Sequence, residues 1–190
     1  MAFKAEVRVV GFDDAPFQRG DAQVPVVGVV MRGGAYVEAV LRTSVLRDGD
    51  DATERIAAAV GSYRGRAGLV AILLQNLMVA GFNVVDLPRL GQETGLPVIA
   101  VARGEADLDA VRAALHNRRI PNGPAKWSRI EAVRERMAFR SGVTVTAVGL
   151  PEREAGELVG LCTVRGLLPE PLRLAHLIGA GWVMGHSKGS

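Results

Sequence analysis

Residues 24–46, VPVVGVVMRGGAYVEAVLRTSVL, are two β-rich runs that meet at Gly33–Gly34. β-Branched residues dominate both runs, and the glycine pair permits the tight backbone of a turn, so the stretch predicts a hairpin. Upstream, AEVRVVGF (5–12) alternates and then becomes wholly apolar, which predicts another strand. The Asp13–Asp21 loop separates it from the hairpin, so the first three strands are expected to be antiparallel neighbours.

The period changes after the hairpin. In DGDDATERIAAAVGSY (48–63), Ile56, Ala59 and Val60 share one helical face, and Asp50 or Asp51 can cap the helix. GLVAILLQ (68–75) is a continuous apolar run after Gly68, as in a strand covered on both faces. A helix is expected over Asn83 to Thr94, kinked or begun at Pro88. LPVIAVA (96–102) reads as a short buried strand, 105–116 and 125–139 as helices, and GVTVTAVG (142–149) as a strand. Residues 151–162 and 171–182 close the chain as helices.

The order β-β-β-α-β-α-β with a mostly helical remainder predicts an α/β fold. Its mixed central sheet would have three antiparallel strands, then alternating α/β, with helices on both faces. This is the order of the ribonuclease H-like fold; a flavodoxin-like chain would alternate from its first strand. With no repeat, low-complexity tract or linker, the 190 residues read as one domain, 1–190.

Composition limits the chemistry. The single Cys162 excludes an intrachain disulfide and a thiolate zinc cage, and His116, His176 and His186 are the only imidazoles. A functional metal is therefore expected to be hard and oxygen-bound, Mg²⁺ or Mn²⁺. A net charge of +3 tolerates a polyanionic partner without demanding one. MAFKAEVRVV shows no secretory h-region, and no apolar run approaches the ~20 residues of a membrane span, so a cytoplasmic protein without a membrane partner is expected.

Two acidic clusters stand out. Asp13 and Asp14 follow the first strand, and ligands gather beyond the carboxyl ends of strands in open α/β sheets. A turn beside Pro16 is the alternative. Asp48, Asp50 and Asp51 crowd a strand-to-helix junction where one cap would suffice. If the clusters meet, divalent cations would relieve the crowding and serve phosphodiester cleavage.

Gln75 and Asn76 end the fourth strand on amides that need partners. Asn83 can cap the next helix or help receive a phosphate, and Asp86 would lie in that helix's first turn. Arg112, Arg118, Arg119, Lys126, Arg129, Arg134, Arg136 and Arg140 form a basic segment against Glu131 and Glu135 alone. Trp127 within it could stack on a base or pack in the core. His176 reads as a core-facing or capping residue, with catalysis as the alternative.

GFDDAPF (11–17), DGDDATERI (48–56), QNLMVAGFNVVDL (75–87), LPVIAVAR (96–103) and LLPEPLRLAHLIGAG (167–181) together resemble the endonuclease dU family, a distant relative of endonuclease V. The resemblance runs over about residues 5–182. It implies a metal-dependent endonuclease, with Mg²⁺ or Mn²⁺, acting on nucleic acid containing uracil or hypoxanthine, DNA ahead of RNA. The metal-binding aspartate of the first strand falls at Asp13, with Asp14 adjacent. The acidic residue of the first helix falls within Asp48–Glu54, where Asp51 is chosen and Asp48 is the alternative. The aspartate ending the fourth strand falls at Gln75, a departure that removes a charge and leaves an amide to contact metal or phosphate. The histidine-containing stretch after the late strand has no counterpart in TAVGLPERE (146–154). Asp13, Asp51 and Gln75 are thus expected to converge, with Asn83, Arg118, Arg119, Lys126 and Trp127 on the nucleic acid. A nucleic-acid-binding module that has lost a metal ligand and its catalysis is the alternative, and a nucleotide-processing enzyme using the same acidic pocket is a third.

Overall fold

The computed structural model of the protein describes residues 3–187. The strands are β1 (Arg8–Asp14), β2 (Gln23–Arg32), β3 (Tyr36–Leu46), β4 (Ala71–Leu74), β5 (Met78–Val79), β6 (Asn83–Val84), β7 (Val98–Arg103), β8 (Met137–Arg140) and β9 (Val143–Val148). The helices are α1 (Ala52–Ser62), α2 (Leu87–Thr94), α3 (Leu108–Leu115), α4 (Gly123–Glu131), α5 (Glu152–Cys162) and α6 (Glu170–Met184). The main sheet has the order β3-β2-β1-β4-β7-β9-β8, and β5 and β6 form a separate small hairpin. β1, β2 and β3 are antiparallel neighbours, as expected of the Gly33 turn, where φ is +52°. β4 pairs parallel with both β1 and β7, and β9 returns antiparallel to β7. The result is the ribonuclease H-like arrangement, a mixed sheet with helices on both faces.

Strand alternation assigns the faces. Val10 and Phe12 of β1 join Ile72, Leu74, Ile56 and Leu90 in the core beneath α1 and α2. Val9 joins Leu73, Ile99, Leu158 and Leu172 beneath α5 and the start of α6. α6 then covers Val27, Val29 and Met31 of β2 through Ala175. It lies directly on the backbone of β1. A Cβ at Gly11 would come within 2.6 Å of Pro171 Cβ, and one at Gly179 within 3.1 Å of Ala15 Cα. The two glycines are required by this contact, which fixes what α6 can present to the end of β1.

The elements depart from expectation at instructive places. β1 runs through Asp13 and Asp14, so the pair belongs to the strand and the turn reading fails. The segment from Asn83 opens as β6, and α2 starts only at Leu87 with Pro88 in its first turn. Asp86 is the N-cap of α2, its side chain accepting from Arg89 N. The helix expected to reach residue 139 stops at Glu131, and Met137–Arg140 forms the edge strand β8. Ile130, Val133 and Met137 keep helical spacing, which disguised the break. The hairpin signal lay just beyond, in Ser141–Gly142, both with positive φ.

Candidate active site

The parallel register of β1 and β4 pairs Phe12 with Leu74, and Gln75 N donates to Phe12 O at 3.1 Å. Asp13 and Gln75 are therefore neighbours at the carboxyl ends of the two central parallel strands. By alternation Asp13 faces α6, and there His176 Nδ1 lies 3.0 Å from Asp13 Oδ2. The Asp13 side chain is only 5% exposed whereas His176 is 40% exposed, so the imidazole bridges a buried carboxyl to solvent. Asp14 Oδ2 accepts from Ala80 N at 3.0 Å, at the turn of the β5–β6 hairpin. Gln75 Oε1 is buried and has no hydrogen-bond partner.

Burial, and then the charge of Asp14, push the Asp13 carboxyl up from 3.8 to about 8. The Asp14 backbone N–H and the Arg103 charge oppose the shift without cancelling it. Asp14 is raised as well, again mainly by burial, with the Ala80 N–H pulling the other way. The interaction between the two carboxyls raises Asp13 and lowers Asp14, which favours the proton on Asp13. For Asp13 the folded-state value lies above the unfolded one. Its contribution to stability is thus complete below about pH 4 and lost as pH rises through about 8. Thermal unfolding in EDTA should show Tm falling across that window. A flat profile would contradict a buried, charge-strained pair.

The donor set fits a hard divalent cation. Asp13, Asp14 and Gln75 Oε1 offer oxygen only, one of these atoms lacks any partner, and positive charge would relieve the carboxyl pair. Among the described residues no three His, Cys, Asp or Glu side chains gather as a metal-holding group, so the third ligand from this chain would be the amide.

The second acidic cluster is engaged elsewhere. Asp51 Oδ1 accepts from Leu46 N at 3.0 Å and Asn83 Nδ2 at 2.7 Å, and it is not brought to Asp13 in a metal-holding group as expected. Asp48 Oδ1 accepts from Phe82 N, while Asp50 pairs with Arg129 and accepts from Asn122. These carboxylates clasp the β3–α1 junction onto the β5–β6 hairpin and α4.

Asn83 is fully buried and cannot meet a nucleic acid. It does cap a helix, but a distant one: its Oδ1 accepts from Ala52 N at the start of α1, and its Nδ2 donates to Leu46 O. Lys126 and Trp127 also leave the expected nucleic-acid surface. Gly123, Lys126, Trp127 and Ile130 recur at helical spacing and form the inward face of α4. Lys126 Nζ donates to Asp48 O at 2.6 Å, and Trp127 packs beneath Arg112. Arg118 and Arg119 remain exposed. A groove of about 1130 Å³ between α5 and the β8–β9 hairpin is lined by Arg136 and Arg140 of the basic segment, and by none of Asp13, Asp51, Gln75, Asn83, Arg118, Arg119, Lys126 and Trp127.

A model of the endonuclease dU family matches residues 5–183. The chain belongs to the endonuclease dU family. A UPF0215 protein of Methanothermobacter thermautotrophicus is 42% identical over 190 residues, covering 98% of this chain and 93% of its own. Among solved structures, a protein of unknown function from Archaeoglobus fulgidus superposes with a TM-score of 0.83 at 32% identity, over 90% of this chain and 95% of its own. Endonuclease V of Ciona intestinalis, in complex with a DNA containing an inosine followed by a ribo-adenosine, gives a TM-score of 0.57 at 14% identity. That match covers 88% of this chain and 82% of the other, and it shows a shared fold.

His176, read from the sequence as a core-facing or capping residue with catalysis as the alternative, is brought by the fold to Asp13. Ala175 and Gly179, four apart, were the available signal: small residues at that spacing let a helix settle on a strand, and the adjacent His176 then meets the strand's end.

Proposed function

We propose that this endonuclease dU protein is a Mg²⁺- or Mn²⁺-dependent endonuclease acting on nucleic acid with deaminated bases, DNA ahead of RNA. Family membership and the endonuclease V-like fold support a nuclease-like activity. The observation that supports the metal is the Asp13–Asp14 carboxyl pair ending β1, with the unpartnered Gln75 oxygen on the residue that follows the adjacent β4. Asp13, Asp14 and Gln75 would hold the cation, which would supply positive charge for the phosphate and activate water for its hydrolysis. Asp13 is held by His176, whose ring is partly open to solvent. Arg118 and Arg119 track the backbone from outside the site.

Nicking of uracil-, hypoxanthine- and mismatch-containing duplexes, titrated with Mg²⁺ and Mn²⁺, tests this. Activity is expected on at least one substrate, with loss in Asp13→Ala. Equal inactivity of both proteins on all substrates would sink the enzyme reading. The diversion of Asp51 and the amide at Gln75 favour a second reading, a binding module without catalysis. That reading requires salt-sensitive binding indifferent to metal and retained in Asp13→Ala.

A further inference from the structure

A broad aromatic surface stands open at the far end of α6. Trp182 is 50% exposed, and Arg42 of β3 lies over its ring, 5.0 Å from guanidinium carbon to centroid. The place of this pair in the sheet links it to the acidic site. Val27 is paired with Asp13 on one side and with Arg42 on the other. Arg42, Val27 and Asp13 thus form one cross-strand row, and all three face α6: Val27 packs on Ala175, Asp13 meets His176, Arg42 meets Trp182. Adjacent strands are about 4.8 Å apart, so the backbone of Arg42 lies about 10 Å from that of Asp13. At a rise of 3.4 Å per nucleotide that is about three nucleotides along a stacked strand.

We infer that Trp182 and Arg42 form a stacking platform for an unpaired base of the nucleic-acid strand whose phosphate lies at Asp13. The inference rests on the nuclease reading of that site. An indole accepts any base, because every base has a π-face, and the guanidinium adds cation–π attraction and a charge for the neighbouring phosphate. The pair therefore holds the strand without selecting its sequence, and selection is left to groups nearer Asp13. A second copy of this chain is the competing occupant, since Val37, Val40, Val183 and Met184 are also exposed on β3 and α6. The cation beside the indole and the shared row with Asp13 favour a polyanion.

The two tryptophans separate the readout, because Trp127 is buried and Trp182 is open. A mixed-sequence single-stranded oligonucleotide, titrated without divalent metal, should quench the fluorescence of the wild-type protein. Trp182→Ala should lose most of that quenching and bind a labelled oligonucleotide about tenfold more weakly or worse. Trp182→Phe, which keeps a ring, should restore most of the affinity, and Arg42→Gln should reduce the salt slope by about one. Unchanged affinity in Trp182→Ala, with no quenching in the wild type, would overturn the platform. So would a wild-type dimer in sedimentation that becomes a monomer in Trp182→Ala. Binding through Trp182 with no nicking of any substrate would refute the nuclease reading alone. Nicking with a silent Trp182 would refute the platform alone.

Discussion

Asp13→Asn is expected to lower metal-dependent nicking by roughly 10³-fold, about 4 kcal/mol of transition-state stabilisation, while making the metal-free protein more stable near pH 8. The two effects have one cause. The wild-type carboxyl is buried next to Asp14, and its pKa of about 8 means that ionising it in the folded state is costly. Each unit of that displacement is worth about 1.4 kcal/mol, so raising the pH from 4 to 8 removes several kcal/mol of stability. Asparagine has the same shape and does not ionise. It keeps an oxygen for His176 and an N–H for Asp14, but it gives a cation no charge. Melting at pH 5 and pH 8.5 in EDTA, paired with the nicking assay, reads both effects. A variant that lost activity and also melted lower at pH 8.5 would mark Asp13 as a structural residue, and the proposed metal site would fall.

Lys126→Met should cost about 3 kcal/mol of stability, which for a chain of this size lowers Tm by about 6–12 °C. Lys126 is fully buried, and its ammonium donates to the Asp48 carbonyl at 2.6 Å. Burial pushes its pKa down, while Asp50 and Asp48 pull it back toward the charged form. Methionine replaces the stem but not the donor, so the Asp48 carbonyl loses its bond and Asp50 loses a compensating charge. Asp48 holds the Phe82 amide and has a φ of +54°, a strained backbone that its neighbours must maintain. The damage should therefore reach the β5–β6 hairpin, whose Ala80 N–H holds Asp14. The salt dependence of oligonucleotide binding should not change at temperatures where the variant is folded. A reduced slope with an unchanged Tm would return Lys126 to the surface role first expected of it.

These two residues show where sequence was sufficient and where it was not. Asp13 was legible because strand order places the end of β1 beside the end of β4, a consequence of hydrophobic period and chain direction. Lys126 was misread because charge count says nothing about the direction of a helix face. The i, i+3, i+4, i+7 spacing of Gly123, Lys126, Trp127 and Ile130 carries that information, while the surrounding positive charges point to a solvated face. Asp51 and Asn83 were unreadable for a different reason. They bond across 32 positions of chain, and in the sequence each has a sufficient local role as a cap.

The sequence by itself determined the ribonuclease H-like sheet, the family and the candidate aspartate. Those follow from alternating and continuous apolar runs, turn residues and motif order, all of which act over a few neighbouring positions. Only the tertiary structure decided which polar groups share a site. The close seat of α6 on Gly11 brings His176 to Asp13 and Trp182 to Arg42, and the clasp through Asn83 and α4 takes Asp51 and Lys126 away. Hydrogen bonds and charge pairs are satisfied by whatever donor the packed backbone brings within about 3 Å, and that distance is set by the whole fold.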